Sequence, residues 1–381
     1  MTPAPAPPGG AADPGGAAGG RDGSPAAQPA ARPAGLPAAA SFPEVRTTPA
    51  TGRRRHLVAL ATLLVLLGVA VVCSVVLGAR VVSLAEVLSG LRGDGSEIGA
   101  LAVEQRVPRT ATALLAGACL GLSGALMQAV TRNPIADPGI LGVNTGASLA
   151  MVSGIAFLGT RSLSQQLWLA LAGGLLTAVF VYAVGSVGPG GSTPVKLALA
   201  GVATTAALSA AVSAIMLPRA QGLDSFRFWQ VGGLGRGSWE SLSAVAPFVA
   251  VAAVLSLLVA RPLNSLALGE EVAVGLGVRV GQTRLLAAGA GVLLGSAVTA
   301  VAGPISFTGL MVPHAVRMLC GPDHRWLLPL SALGGAVLLT AADVVGRVLI
   351  RPSEVPVGVI TAFVGAPVLI AIARSAKVRQ L

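Results

Sequence analysis

Few side chains in this 381-residue sequence could do chemistry, and their spacing limits what they could do. Asp343 and Arg347 lie four apart, the separation at which two side chains meet on one helix face. Asp343 stands alone in an apolar run, so a structural ion pair is the expected role. No acidic cluster accompanies it to hold a metal–diphosphate. Arg106 and Arg109 flank Pro108 just where another apolar run begins. Glu270 and Glu271 are adjacent, followed by Gly275 and Gly277. That pattern suits a short helix with negative charge at its N-terminus and a tight turn after it. Such a segment reads either as a docking element or as a solvated amphipathic loop. Thr204, Thr205, Ser209 and Ser213 recur at helical spacing. They are either hydroxyls facing an interior or groups bonded back to their own helix. His56, His314 and His324 are too scattered to suggest a metal site. His314 follows Pro313, and a capping or packing role is expected for it. Cys73, Cys119 and Cys320 fall in or beside apolar runs without a CxxC pair, and read as small buried apolar groups. No GxxxxGK[ST] phosphate loop occurs. Nothing here makes or breaks a covalent bond, so the chain is not expected to be an enzyme. No cofactor or metal of its own is expected either.

The elements that hold these residues belong to a membrane protein. Apolar residues make up 54% of the chain and charged ones 11%, with a mean hydropathy of +0.79. A soluble domain carries about 25% charged residues. These values exclude a soluble enzyme, a secreted disulfide scaffold and a nucleic-acid binder. The net charge of +11 is spread over loops between apolar runs, where it orients a membrane protein. Residues 1–52 form an Ala/Pro/Gly-rich segment expected to be a disordered cytoplasmic tail: Ala, Pro and Gly fill 34 of the first 50 positions. It is not a secretory signal, because the first apolar run starts only at Leu57. From residue 53 on, the chain reads as one transmembrane domain. Ten runs are expected, at 57–78, 107–130, 139–158, 166–187, 195–217, 243–260, 284–302, 305–319, 326–349 and 356–373. The third and eighth are broken by Gly, Pro and polar residues and are expected to be short or discontinuous. The fold class is therefore all-α and polytopic. Ten spans, the arginines at 53–55 and the basic residues after 373 place both termini in the cytoplasm of a multi-pass cell-membrane protein. Small residues such as Gly117, Gly121 and Gly124 suit close helix packing.

Certain motifs recur in a distinctive order: RVPRTATALLAGACLGLSGALMQAVTRNPIADPGILGVNTGA (106–147), LALAGVA (197–203), LGEEVAVGLGV (268–278), GPISFTGLMVPHAVRML (303–319), DHRWLLPLSALGGAVLLTAADVVGR (323–347) and EVPVGVITAFVGAPVLI (354–370). In this set, from about residue 57 to the end, the chain strongly resembles the permease subunits of iron–siderophore and cobalamin ABC importers, the FecCD-like family. The resemblance implies a ten-helix permease that pairs with a second permease copy, identical or paralogous. It implies two cytoplasmic ATPase subunits, which bind the ATP, and an extracytoplasmic substrate-binding protein. It places Arg106, Arg109 and Arg347 where that protein docks. It assigns ATPase coupling to the 261–284 loop, with Glu270, Glu271, Gly275 and Gly277 at its centre. Thr204, Thr205, Ser209 and Ser213 would border the central pathway. Asn133, Pro134, Pro313, His314 and Asp343 match structural motif positions.

The cargo this implies is a ferric siderophore, with cobalamin or heme as alternatives. An ion-coupled secondary transporter is the rival from another class. It should carry several ionisable residues at mid-membrane depth, and these are nearly absent. A membrane enzyme such as a prenyl or glycosyl transferase lacks its acidic cluster. Membrane lipid is the remaining expected partner, and nucleic acid is not one.

Overall fold

The computed structural model describes residues 49–78, 80–93, 98–188, 193–219 and 224–378. The expected tail thus lies almost wholly outside the described residues. Among these there are thirteen α-helices and no strand. They are α1 (Pro49–Val76), α2 (Leu84–Arg92), α3 (Ile98–Thr131), α4 (Val143–Phe157), α5 (Leu163–Gly185), α6 (Pro194–Met216) and α7 (Asp224–Gln230). There follow α8 (Trp239–Ala267), α9 (Glu270–Gly275), α10 (Val280–Ala302), α11 (Thr308–Cys320), α12 (His324–Leu349) and α13 (Val357–Val378). Each of the ten expected runs falls on a helix. Seven helices are long and apolar enough to cross a membrane: α1, α3, α5, α6, α8, α10 and α12. Ser162, Thr193 and Ser238 start α5, α6 and α8 with side-chain caps on orphan backbone N–H groups.

Helices α3 and α10 are the most buried spans and form the centre. Helix α3 can sit there because its facing positions carry no side chain. A Cβ on Gly117 would strike the Gly335 carbonyl, one on Gly121 the Ser331 carbonyl, and one on Gly124 the Gly309 carbonyl. Backbone therefore meets backbone along the seams with α12 and α11, as small-residue crossings allow.

The third and eighth runs are short, as their broken sequences suggested. Helix α11 has 13 residues, about 20 Å by helix rise against a hydrocarbon core of about 30 Å. Its Gly309 meets Gly124, seven residues before the end of α3, so α11 begins at depth. The chain reaches that point as non-helical backbone through 303–307, with Phe307 in the left-handed region at φ 68°. Such backbone is tolerated at depth only where protein buries it. Proline at 313 cannot donate to Gly309, four residues earlier. The Gln128 amide donates to the Gly309 and Leu310 carbonyls instead, at 3.4 and 3.2 Å, and Arg317 donates to Gln128 Oε1 at 3.1 Å. Pro313 is buried and His314 half-buried within this short helix.

Candidate functional site

Three groups of functional side chains occupy different levels of the bundle. The first lies at the end away from Pro49 and Val378. Helix α3 begins at Ile98, nine residues before the expected start, because α2 packs Val87 against Val103 and Gly90 against Ala100. Arg106 and Arg109 therefore sit two to three turns inside a helix, not in its first turn. Arg106 is buried, and its guanidinium donates to the Val75, Val76 and Arg80 carbonyls at 3.0, 2.9 and 2.6 Å. Arg347, only 2% exposed, donates to the Ser74 and Leu77 carbonyls at 2.9 and 3.2 Å and to Ser74 Oγ at 2.7 Å. Both cations cap the C-terminal end of α1, where unpaired carbonyls attract positive charge. The guanidinium groups of Arg106 and Arg347, expected where a partner docks, thus bond carbonyls within the chain. Asp343, also 2% exposed, pairs with Arg347 Nε at 3.0 Å and with Arg109 at 2.8 Å. The structural pair expected of Asp343 is present, with a second arginine added. Arg109 also meets Glu354 at 2.7 Å, where the carboxylate is 39% exposed. Of the three arginines only Arg109 remains part of a surface.

The second group lies at the end holding Pro49 and Val378. Glu270 and Glu271 open α9, as their pattern suggested. Ala273 anchors this short helix in the core, while Val272 and Val274 stand exposed on it and Leu276 just after it. Gly275 is exposed in its last turn, and Gly277 takes φ +78°, which turns the chain into α10. Arg284 of α10 forms an ion pair with Glu270, whose carboxyl is held below its ordinary value by that hydrogen bond and charge. Beside α9, Arg132 donates to the Leu266 carbonyl at the end of α8, at 2.9 Å. Asn133 Oδ1 accepts from Ile135 N at 3.1 Å and starts the turn at exposed Pro134. The motif pair Asn133–Pro134 thus shapes the turn that sets Arg132 against the α8–α9 junction.

The third group lies between these ends. Thr204 and Thr205 are half-buried on α6, while Ser209 and Ser213 are exposed. The Ser213 hydroxyl donates to the Ser209 carbonyl at 3.0 Å, the back-bonding alternative. Opposite them the 132–142 segment re-enters the bundle. Pro138 faces Gly295 of α10, and the Ile140 carbonyl meets Gly201 of α6. The Asp137 carboxylate accepts from Gly139 N at 2.8 Å. Its other oxygen lies close to Gly309, where an added methyl would stand 3.1 Å from it. Sequence reasoning passed over Asp137, Gln128, Ser74 and Glu354. Gln128, Ser74 and Glu354 are lone polar residues whose partners are distant in the chain, so no local spacing could have marked them, and the contact of Asp137 with Gly309 is equally distant.

Glycine-seamed helices, non-helical backbone buried at depth and seven helices long and apolar enough to cross a bilayer define a polytopic membrane protein. The FecCD transport family model matches residues 65–375, and the chain belongs to that family. It is 45% identical over 318 residues to the ferric enterobactin transport system permease protein FepD of Escherichia coli (strain K12), covering 83% of this chain and 95% of that one. It is 40% identical over 318 residues to the probable siderophore transport system permease protein YfiZ of Bacillus subtilis (strain 168), covering 83% and 96%. Among solved structures, one described as an inward-facing conformation of a metal-chelate type ABC transporter superposes with a TM-score of 0.72. It shares 30% identity and covers 84% of this chain and 99% of its own.

Proposed function

We propose that this chain is the membrane-spanning subunit of an ABC importer that carries a ferric siderophore into the cytoplasm. The observation that supports this most is α9. Val272 and Val274 stand exposed on a six-residue helix outside the spans, with Leu276 exposed just after it, at the end holding both described termini. An apolar projection there calls for a protein cover, and an anchored one can pass rigid-body motion to α8 and α10. An ATPase subunit is the cover proposed, because the sequence has no phosphate loop of its own. Glu270 and Glu271 flank the projection with charge. That end is then cytoplasmic and the arginine-rich end extracytoplasmic. No cofactor is assigned to this chain, and ATP is bound by the partner.

A second permease copy covers α6. The exposed faces of α1 and α8 carry bulky lipid-facing residues such as Val65, Val69, Leu257 and Leu258. The exposed face of α6 carries Val195, Leu199 and Val202 near its start, but beyond them only small residues, Ala203, Ala207, Ser209, Ala210, Ser213 and Ala214. Small residues let another helix approach closely, where lipid would be met as well by large ones. Two copies facing across α6 would place Ser209 and Ser213 along a shared pathway, with two ATPases beneath. A binding protein outside would dock around Arg109. Ferric siderophore as cargo draws on the relatives' names, with heme and cobalamin as the alternatives. The test reconstitutes the chain with the ATPase and binding protein encoded beside it and measures ATP-dependent uptake of radiolabelled ferric siderophore, heme and cobalamin. Uptake of cobalamin alone would overturn the iron assignment, and uptake without an ATPase subunit would overturn the importer itself.

A further inference from the structure

A cavity of about 220 Å³ opens at the arginine-rich end, between α7, the 231–237 turn, the end of α10 and the start of α13. Its wall includes Arg109, Arg236, Glu354, Phe228 and Trp229. Two features set it apart from a packing gap. Trp229 is 4% exposed, yet its indole N–H has no acceptor among the described residues. A buried donor left so is costly and marks a place where an acceptor is missing. Phe228, by contrast, is 72% exposed beside it. The indole is held in place by stacking on Phe226 at 5.8 Å and by Gly232 N donating to the Trp229 carbonyl at 3.0 Å.

Charge favours an anion. Arg109 stands at the wall, with Arg106 and Arg347 near it, three cations against the two carboxylates Asp343 and Glu354. Glu354, the more exposed of these, holds the outward nitrogen of Arg109, and an incoming carboxylate or phenolate can exchange with it. An exposed aromatic face adds a stacking surface for a ring. Sites for whole drug-sized ligands span roughly 300–1,000 Å³, so this cavity takes one ring with its oxyanion and not an entire chelate.

We propose that the cavity is a subsite for one aromatic oxyanion arm, an aryl carboxylate or phenolate, of the iron chelate as it enters from outside. The ring lies against Phe228. Its oxygen accepts from the Trp229 indole and from the Arg109 guanidinium. This assignment rests on the importer reading above.

Benzoate is the probe, and uncharged benzamide its control, titrated calorimetrically into the unliganded permease in lipid nanodiscs. Saturable benzoate binding is expected, with benzamide and the Trp229→Phe variant each weaker by about tenfold, the worth of one charge-assisted hydrogen bond. Phe228→Ala should weaken benzoate binding too. It changes an exposed ring, so it carries the test if Trp229→Phe fails to fold. Absent benzoate binding, or equal affinity for benzamide, overturns the proposal. In the complete importer, Phe228→Ala should raise the half-saturating concentration for an aromatic-armed iron chelate and leave ferric citrate unchanged. Equal behaviour toward both chelates overturns the chelate as ligand. Failure of the unaltered importer to move any iron chelate would remove the importer reading, while benzoate binding still reports on the cavity alone.

Discussion

Replacing Arg347 by methionine keeps the length of the side chain and removes its charge and its donors. In the folded chain that guanidinium bonds the Ser74 carbonyl, the Leu77 carbonyl and Ser74 Oγ, and pairs with Asp343. Asp343 keeps Arg109 at 2.8 Å, so it is not left as a lone buried charge. The loss should therefore fall below the about 3–5 kcal/mol typical of breaking a buried pair outright. Three acceptors at the end of α1 lose donors, at about 1 kcal/mol each. We expect Arg347→Met to cost about 2–4 kcal/mol and to lower the thermal midpoint by several degrees. The end of α1 should also loosen, and Cys73, beside Ser74 and only half-buried, reports on it. The assay is thermal unfolding of nanodisc samples with a thiol-reactive dye, together with the rate of Cys73 labelling at 25 °C. Asp343→Asn should be worse, because Arg347 then loses its paired carboxylate while 2% exposed. An unchanged midpoint and unchanged Cys73 labelling, joined to loss of binding-protein association, would refute this reasoning and return Arg347 to a docking role.

Other expectations follow from the same contacts. Gly121→Ala would drive a methyl into the Ser331 carbonyl and part α3 from α12, at about 1–3 kcal/mol, read as a lower midpoint and lost uptake. Gln128→Leu should cost about 1–3 kcal/mol because the Gly309 carbonyl loses its donor. Pro313→Ala restores a backbone donor to that carbonyl, so the double variant should be less destabilised than the sum. Strict additivity in that cycle would count against the compensation. Glu270→Lys with Glu271→Lys should weaken ATPase association and uncouple hydrolysis from uptake at normal expression, and normal uptake would sink the coupling role of α9. Because Arg284 depresses the Glu270 carboxyl, that contact contributes above the ordinary value of 4.5 and is lost as pH falls through the lower folded value. ATPase association should thus be flat across neutral pH and fall only under acid, and Glu270→Gln should abolish that acid limb.

Features that depend on local composition and period are legible in the residues alone. Ten apolar runs, the broken third and eighth among them, and the short helix opened by Glu270 and Glu271 all follow from residues close together in the chain. So do the family motifs, which are contiguous. The start of α3 was missed because hydropathy begins at Val107, whereas helix continues wherever a neighbour such as α2 covers one face. Which charges face inward is set by packing between helices. Arg106, Arg109 and Arg347 share a residue type and a level in the bundle. Whether each caps a helix, pairs with a carboxylate or reaches the surface depends on where the end of α1 lies, and the α1 residues bonded lie 30 to 273 positions away. The same holds for Gln128, whose partner carbonyl is 181 residues away. In a buried bundle a polar group must be satisfied, but the partner that satisfies it is chosen by packing, and packing is not written in local spacing.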